Sequence, residues 1–171
     1  MINESRNTAV RDAYFKACIG KGMFAFIKND VRLKGSIVMI DTDGIVLEAQ
    51  GKSQQVISWS AVASLSPDAH ADHGSSDLIL NLDELSKLSE AEESGVMKIQ
   101  KRYFRSIRDL AEQRDANLIV CNYTVSGTPI KGTPLVCDDE VQLIRNTFGG
   151  LQLVRWDAVS TTNCEFAKQR S

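Results

Sequence analysis

The chain contains one stretch twice. Residues 26–65, FIKNDVRLKGSIVMIDTDGIVLEAQGKSQQVISWSAVASL, and 123–162, YTVSGTPIKGTPLVCDDEVQLIRNTFGGLQLVRWDAVSTT, superpose without a gap at a shift of 97 positions. Lys34-Gly35 falls on Lys131-Gly132, Asp41 on Asp138 and Gln55 on Gln152. Trp59-Ser60-Ala61-Val62 falls on Trp156-Asp157-Ala158-Val159, and Val46-Leu47 and Val56-Ile57 meet Leu143-Ile144 and Leu153-Val154. Two copies of a unit this long make a duplicated module; a solenoid needs more repeats to bury a continuous core. Any local fold assigned to one copy must therefore suit the other.

Each copy reads as short strands punctuated by turns, with no room for a helix. In the first, apolar residues 24–28 precede the turn pair Asn29-Asp30, and residues 32–40 form a second strand. The turn Asp41-Thr42-Asp43-Gly44 leads to a third strand at 45–49, and Gly51-Lys52-Ser53 makes a tight loop. Strands at 54–58 and 61–65 follow, separated by a brief corner. The second copy has turns at Ser126-Gly127-Thr128-Pro129, Asp138-Asp139-Glu140 and Phe148-Gly149-Gly150. Gly35 and Gly132 lie inside strand patterns, where glycine marks a sharp bend or a close backbone approach. Five short strands bent this strongly predict a small, partly closed barrel.

The segment IKNDVRLKGSIVMIDTDGIVLE resembles the first Sm motif of the Sm-like family, in the form LVNGIKLQGxIxxFDxFxILL found in the Hfq family of bacterial RNA chaperones. Residues 58–64 occupy the place of the short second motif, usually Tyr-Lys-His-Ala-Ile-Ser-Thr, and DAYFKACI at 12–19 resembles the helix before that family's barrel. The resemblance implies a mainly β chain with short α-helices. It would contain two Sm-like modules, each an N-terminal helix plus a strongly bent five-stranded antiparallel barrel. Module 1 would span 1–66 (helix about 8–19, barrel 23–65), followed by an acidic linker at 67–95. Module 2 would span 96–171 (helix about 96–115, barrel 117–162, short tail).

Outside the repeats, Asn7 or Thr8 can cap the first helix, with Val10, Tyr14, Ala17 and Cys18 as its apolar stripe. Arg6, Arg11, Lys16 and Lys21 are then expected in solvent. The second helix would present Ile99, Tyr103, Ile107 and Leu110 on one face, and Tyr103-Phe104 echoes Tyr14-Phe15. The linker carries a net charge of −7, so the remainder is +5 although the whole chain is −2. It is either a solvated connector whose leucines at 78–88 dock somewhere, or an acidic segment competing with nucleic acid for basic surface. No apolar run approaches membrane-spanning length and no signal-peptide pattern opens the chain. Cys18, Cys121, Cys137 and Cys164 lack metal-ligand spacing, which suits a reducing, cytoplasmic location. His70 and His73 are the only histidines, in a polar loop where a metal site is the minor alternative.

For function, the resemblance implies a ring in which the fourth strand of one module pairs with the fifth of the next. Six modules per ring would require about three of these two-module chains. It also implies single-stranded RNA as partner, on either of two faces. One face would use Phe26, Arg32, Leu33 and Lys34 in the first copy, and Tyr123, Ile130 and Lys131 in the second. Stacking aromatics beside cations suit bases and phosphates, although Phe26 and Tyr123 read equally as core aromatics. The other, around the pore, would use Asp41, Thr42, Trp59, Asp138, Arg155 and Trp156. There Asp43 and Glu140 stand where the family stacks a base, and carboxylates repel phosphate. Trp59 and Trp156 either replace that platform or plug the barrel corner or the subunit contact. No nucleophile–histidine pair or phosphate-cradling loop is present, so neither catalysis nor a cofactor is expected. The alternative to an RNA-binding ring is an oligomeric scaffold that binds protein.

Overall fold

A computed structural model describes residues 6–49, 53–69, 78–91 and 99–167. In chain order these are α1 (Ala9–Cys18), β1 (Gly22–Ile27), β2 (Arg32–Ile40), β3 (Gly44–Glu48), β4 (Gln54–Ser58) and β5 (Val62–Pro67). Then come α2 (Leu82–Ala91), α3 (Ile99–Gln113), β6 (Asn117–Thr124), β7 (Pro129–Cys137), β8 (Val141–Asn146), β9 (Leu151–Arg155) and β10 (Val159–Ala167). Single 3-10 turns at Trp59–Ala61 and Trp156–Ala158 form the two brief corners. The expected strands are all present, displaced by a residue or two at their ends.

The two halves do not close into separate barrels. All ten strands join one antiparallel sheet, ordered β10-β6-β7-β8-β9-β5-β1-β2-β3-β4, with β10 and β4 as its open edges. Each half contributes the same internal order, and the halves meet where β5 pairs with β9 through Ser64↔Val154 and Leu65↔Leu153. Bulges between Ile37 and Met39 in β2, and between Pro134 and Val136 in β7, bend the corresponding strands at corresponding places. Gly35 and Gly132 explain how the bend is possible. A Cβ on Gly35 would lie 2.7 Å from the Glu48 carbonyl oxygen, and one on Gly132 would collide with that of Arg145.

The core ignores the repeat boundary. Val136, Val141, Leu143 and Leu153 of the second half pack with Val10, Tyr14, Met23, Leu47 and Leu65 of the first. Helix α1 bridges the halves, because the Tyr14 hydroxyl lies 3.2 Å from the Leu65 carbonyl oxygen and 2.8 Å from that of Leu151. Asn7 contributes to the start of α1, its Oδ1 accepting the Ala9 N–H at 3.1 Å, whereas Thr8 makes no capping bond.

Several expectations need correction. Ala17 is only half-buried and Phe15 takes its place in the apolar stripe. Arg11 is not in solvent: it pairs with Glu140 across the half boundary, and Lys21 is half-buried, while Arg6 and Lys16 are exposed as expected. Helix α3 buries Phe104, Ile107 and Ala111, leaving Ile99 70% and Tyr103 44% exposed. Its Lys101 is only 2% exposed, and its buried ammonium is compensated by Asp139 at 3.1 Å. The described part of the connector is not a free linker. Leu78, Leu80 and Leu82 pack on the core and α2 buries Leu85. His70 and His73, and most of the acidic tract's loop, lie outside the described residues. Among the described residues no helix is long and apolar enough to cross a membrane.

Candidate nucleic-acid interface

Strand β1 alternates, so Phe24 and Phe26 share one face with ring centroids 6.3 Å apart. Across the ladder Lys34 stands opposite Phe24, and Arg32 opposite Phe26. The Arg32 guanidinium lies 5.1 Å from the Phe24 ring centroid, within cation–π range. The turn that aims these strands has Asp30 at φ 70°, and its carboxylate accepts hydrogen bonds from Ser126 (2.5 Å) and Thr128 (2.8 Å) of the second half. Those two bonds hold the Asp30 carboxyl below the usual aspartate range.

This tie makes one wall of a groove of about 1060 Å³ between the halves. Phe26 and Arg32 line it from the first half, Ile130 and Lys131 from the second. Four of the seven residues expected on this face thus converge. The other three do not. Leu33 turns inward against the core, Lys34 is exposed beside Phe24, and Tyr123 is half-buried, paired with Pro129 and Thr161 away from the groove. Phe24 was missed in the sequence, although its period-two spacing from Phe26 was the signal. Arg145 and Phe148 also line the groove, and no periodicity could have found them, since they come from the far side of the half boundary.

The pore-face set is divided differently. Asp41 and Thr42 are exposed, and Asp41 Oδ1 caps its own turn by accepting the N–H groups of Asp43 (2.8 Å) and Gly44 (3.1 Å). Asp138 repeats this cap to Glu140 and Val141, both at 2.8 Å, but it is buried, and its Oδ2 accepts the Arg11 N–H at 2.9 Å. Burial pushes the Asp138 carboxyl up to about 6, against the pull of those three donors. Beside it, Asn7 and Asp139 exchange two bonds, Asn7 N–H to Asp139 Oδ2 (2.7 Å) and Asp139 N–H to the Asn7 carbonyl (2.9 Å). Burial works against the Asp139 carboxylate, yet the Asn7 N–H and the Lys101 ammonium hold it below its ordinary range.

Both tryptophans are buried corner plugs, not open platforms. Trp156 donates to the Asp138 carbonyl at 3.0 Å and meets Phe104 edge-on. Trp59 meets Phe15 edge-on at 4.9 Å, and Arg155 stacks 4.7 Å from its ring while donating to its carbonyl. Asp138 and Arg155 are thus committed to joining the halves, whereas Trp156 packs within its own half. Burial also pushes the thiols of Cys18 and Cys137 up to about 12, which keeps both protonated and unreactive at neutral pH. Among the described residues no cluster of three or more histidine, cysteine or acidic side chains could hold a metal.

No protein-family model matches the sequence, and no curated protein matches it.

Proposed function

We propose that this chain is an Sm-like protein that joins head to tail with further copies of itself and holds single-stranded RNA in the groove between its halves. The observation that carries the reading is the groove itself. Phe24 and Phe26 offer stacking faces at strand spacing, while Arg32 and Lys131 supply charge for phosphates from opposite walls. Binding and positioning, not covalent chemistry, are what such a surface does. The four unpaired thiols fit a cytoplasmic protein.

Self-association is supported by the contrast between equivalent positions. Leu153 in β9 is 1% exposed because β5 covers it, whereas its counterpart Val56 in edge strand β4 is 82% exposed. The paired aromatics Phe15–Trp59 and Phe104–Trp156 align α1 with α3, so Val10 and Tyr14 correspond to Ile99 and Tyr103. The first two are fully buried at the junction between halves, and the second two are exposed beside open strand β10. Edge β4 of one copy against β10 of another would repeat the β5–β9 junction, and closure after three chains would give a six-unit ring.

A scaffold that binds protein without RNA is the second reading, favoured by the burial of Trp59, Asp138 and Trp156. One experiment separates them. Multi-angle light scattering should report about three chains per particle, and the same particles should bind a fluorescent A-rich RNA at low salt, more weakly as salt rises. Assembly without binding of A-rich or U-rich RNA would leave the scaffold, and a monomer that binds neither would remove both readings.

A further inference from the structure

We propose that each chain carries one base-stacking groove rather than two, and that Phe148 is its third aromatic platform for single-stranded RNA. This rests on the RNA-binding reading and adds to it. Phe148 is 93% exposed, although a phenyl ring gains by leaving water and a turn needs none. The first copy places Gly51 at the equivalent position.

The turn carrying Phe148 is firmly held. Asn146 Oδ1 accepts the N–H groups of Phe148 (3.0 Å) and Gly150 (2.9 Å), and Gly149 takes φ +84°. The Asn146 amide nitrogen donates to Ser66 of the first half at 3.0 Å, fixing the turn against the opposite wall. Arg145 donates to the Gly149 carbonyl at 3.2 Å. Phe148 therefore lines the groove with Phe24 and Phe26, among the exposed cations Arg32, Lys131 and Arg145. Of the two carboxylates among the described lining residues, Asp68 is buried and Asp30 is engaged by Ser126 and Thr128.

The repeat shift shows what a groove between two chains would contain. Phe24 becomes Cys121, Phe26 becomes Tyr123, Phe148 becomes Gly51, Arg32 becomes Pro129 and Arg145 becomes Glu48; only Lys131 keeps its charge, as Lys34. Elsewhere in the lining Pro129 becomes Arg32, Gly149 becomes Lys52, Ala69 becomes Phe166, Asp30 becomes Gly127 and Asp68 becomes Glu165. Cations and carboxylates therefore match in number, and the difference lies in stacking. Tyr123 and Phe166, the latter already under the Arg114 guanidinium, stand against three phenylalanines. Strong sites would alternate with weak ones around the assembly.

The test uses the full-length protein and a six-nucleotide adenine RNA in isothermal titration calorimetry. One tight site per chain is expected. Phe148→Ala should weaken it about tenfold, with unchanged melting temperature and particle mass, and Tyr123→Ala should leave it intact. Phe148→Trp should restore binding and show quenching of the new indole as RNA is added, a signal that a merely structural role would not produce. Two equivalent sites per chain, or wild-type affinity in Phe148→Ala, would overturn the inference while leaving RNA binding standing. A wild type that binds neither the adenine nor a uracil hexamer at low salt would instead overturn the RNA reading on which it rests.

Discussion

The indole N–H of Trp59 donates to Glu140 Oε1 at 2.7 Å, joining two residues 81 positions apart and from different copies of the repeat. The other carboxylate oxygen takes the Arg11 guanidinium of α1. One largely buried side chain thus satisfies a buried donor and a buried cation of the neighbouring half.

Replacing Glu140 should therefore weaken the junction more than its turn position suggests. Glu140→Ala leaves the Trp59 N–H without an acceptor and Arg11 with Asp12 alone, at a cost of about 2 kcal/mol. Glu140→Gln keeps an acceptor for the indole and should lose about half as much. Denaturant unfolding checks both, and equal stability of the alanine variant and wild type would refute the role.

Asp138 should make stability depend on pH. Its carboxyl is raised to about 6 in the fold from an ordinary 3.8, so the folded chain binds this proton more tightly than the unfolded chain. The contribution is largest below the ordinary aspartate range and is lost as pH rises through 6, on the order of 3 kcal/mol across the window. Asp138→Asn would keep the acceptor for Glu140 and Val141 but set an amide against the Arg11 N–H. That variant should be less stable at every pH, with a flatter slope between pH 4 and 6 than wild type (about that window by). Parallel slopes would show that Asp138 is not the titrating group.

The bent strands predict a steric result. Gly35→Ala places a methyl 2.7 Å from the Glu48 carbonyl oxygen, and Gly132→Ala drives one into that of Arg145. Both obstacles are backbone, so the ladders must shift, costing about 1–3 kcal/mol each, with Gly132→Ala the worse. Thermal unfolding measures this, and an unaltered midpoint in either variant would mean that the strands do not approach so closely.

Edge strand β4 offers a test of assembly that leaves the core alone. Val56 is 82% exposed, so Val56→Lys should keep the circular dichroism spectrum and melting behaviour of a separate chain. A lysine on an edge opposes strand pairing. Light scattering should then report single chains at concentrations where the unaltered protein assembles, whereas unchanged particle mass would exclude β4 from the contact.

Much of the local structure was legible in the sequence alone. Strands, turns and the glycine bends are written by nearest-neighbour chemistry: alternation along β1, the Asp41 and Asp138 turn caps, and Gly35 and Gly132 at the close approaches. The repeat doubled each signal, because two copies had to agree. Half of the candidate groove could also be read, since Phe26 and Arg32 sit across one local ladder. Burial followed a different logic. Asp41 and Asp138 make the same turn, yet one is exposed and the other buried, because α1 docks only on the second. Val56 and Leu153 occupy the same strand position, yet only Leu153 has β5 beside it. Helix α3 likewise leaves Ile99 and Tyr103 exposed, whereas their counterparts Val10 and Tyr14 on α1 are buried at the junction. A repeated sequence can encode a repeated backbone, but the neighbour each copy meets is set by the order of the chain, and only the assembled fold assigned it.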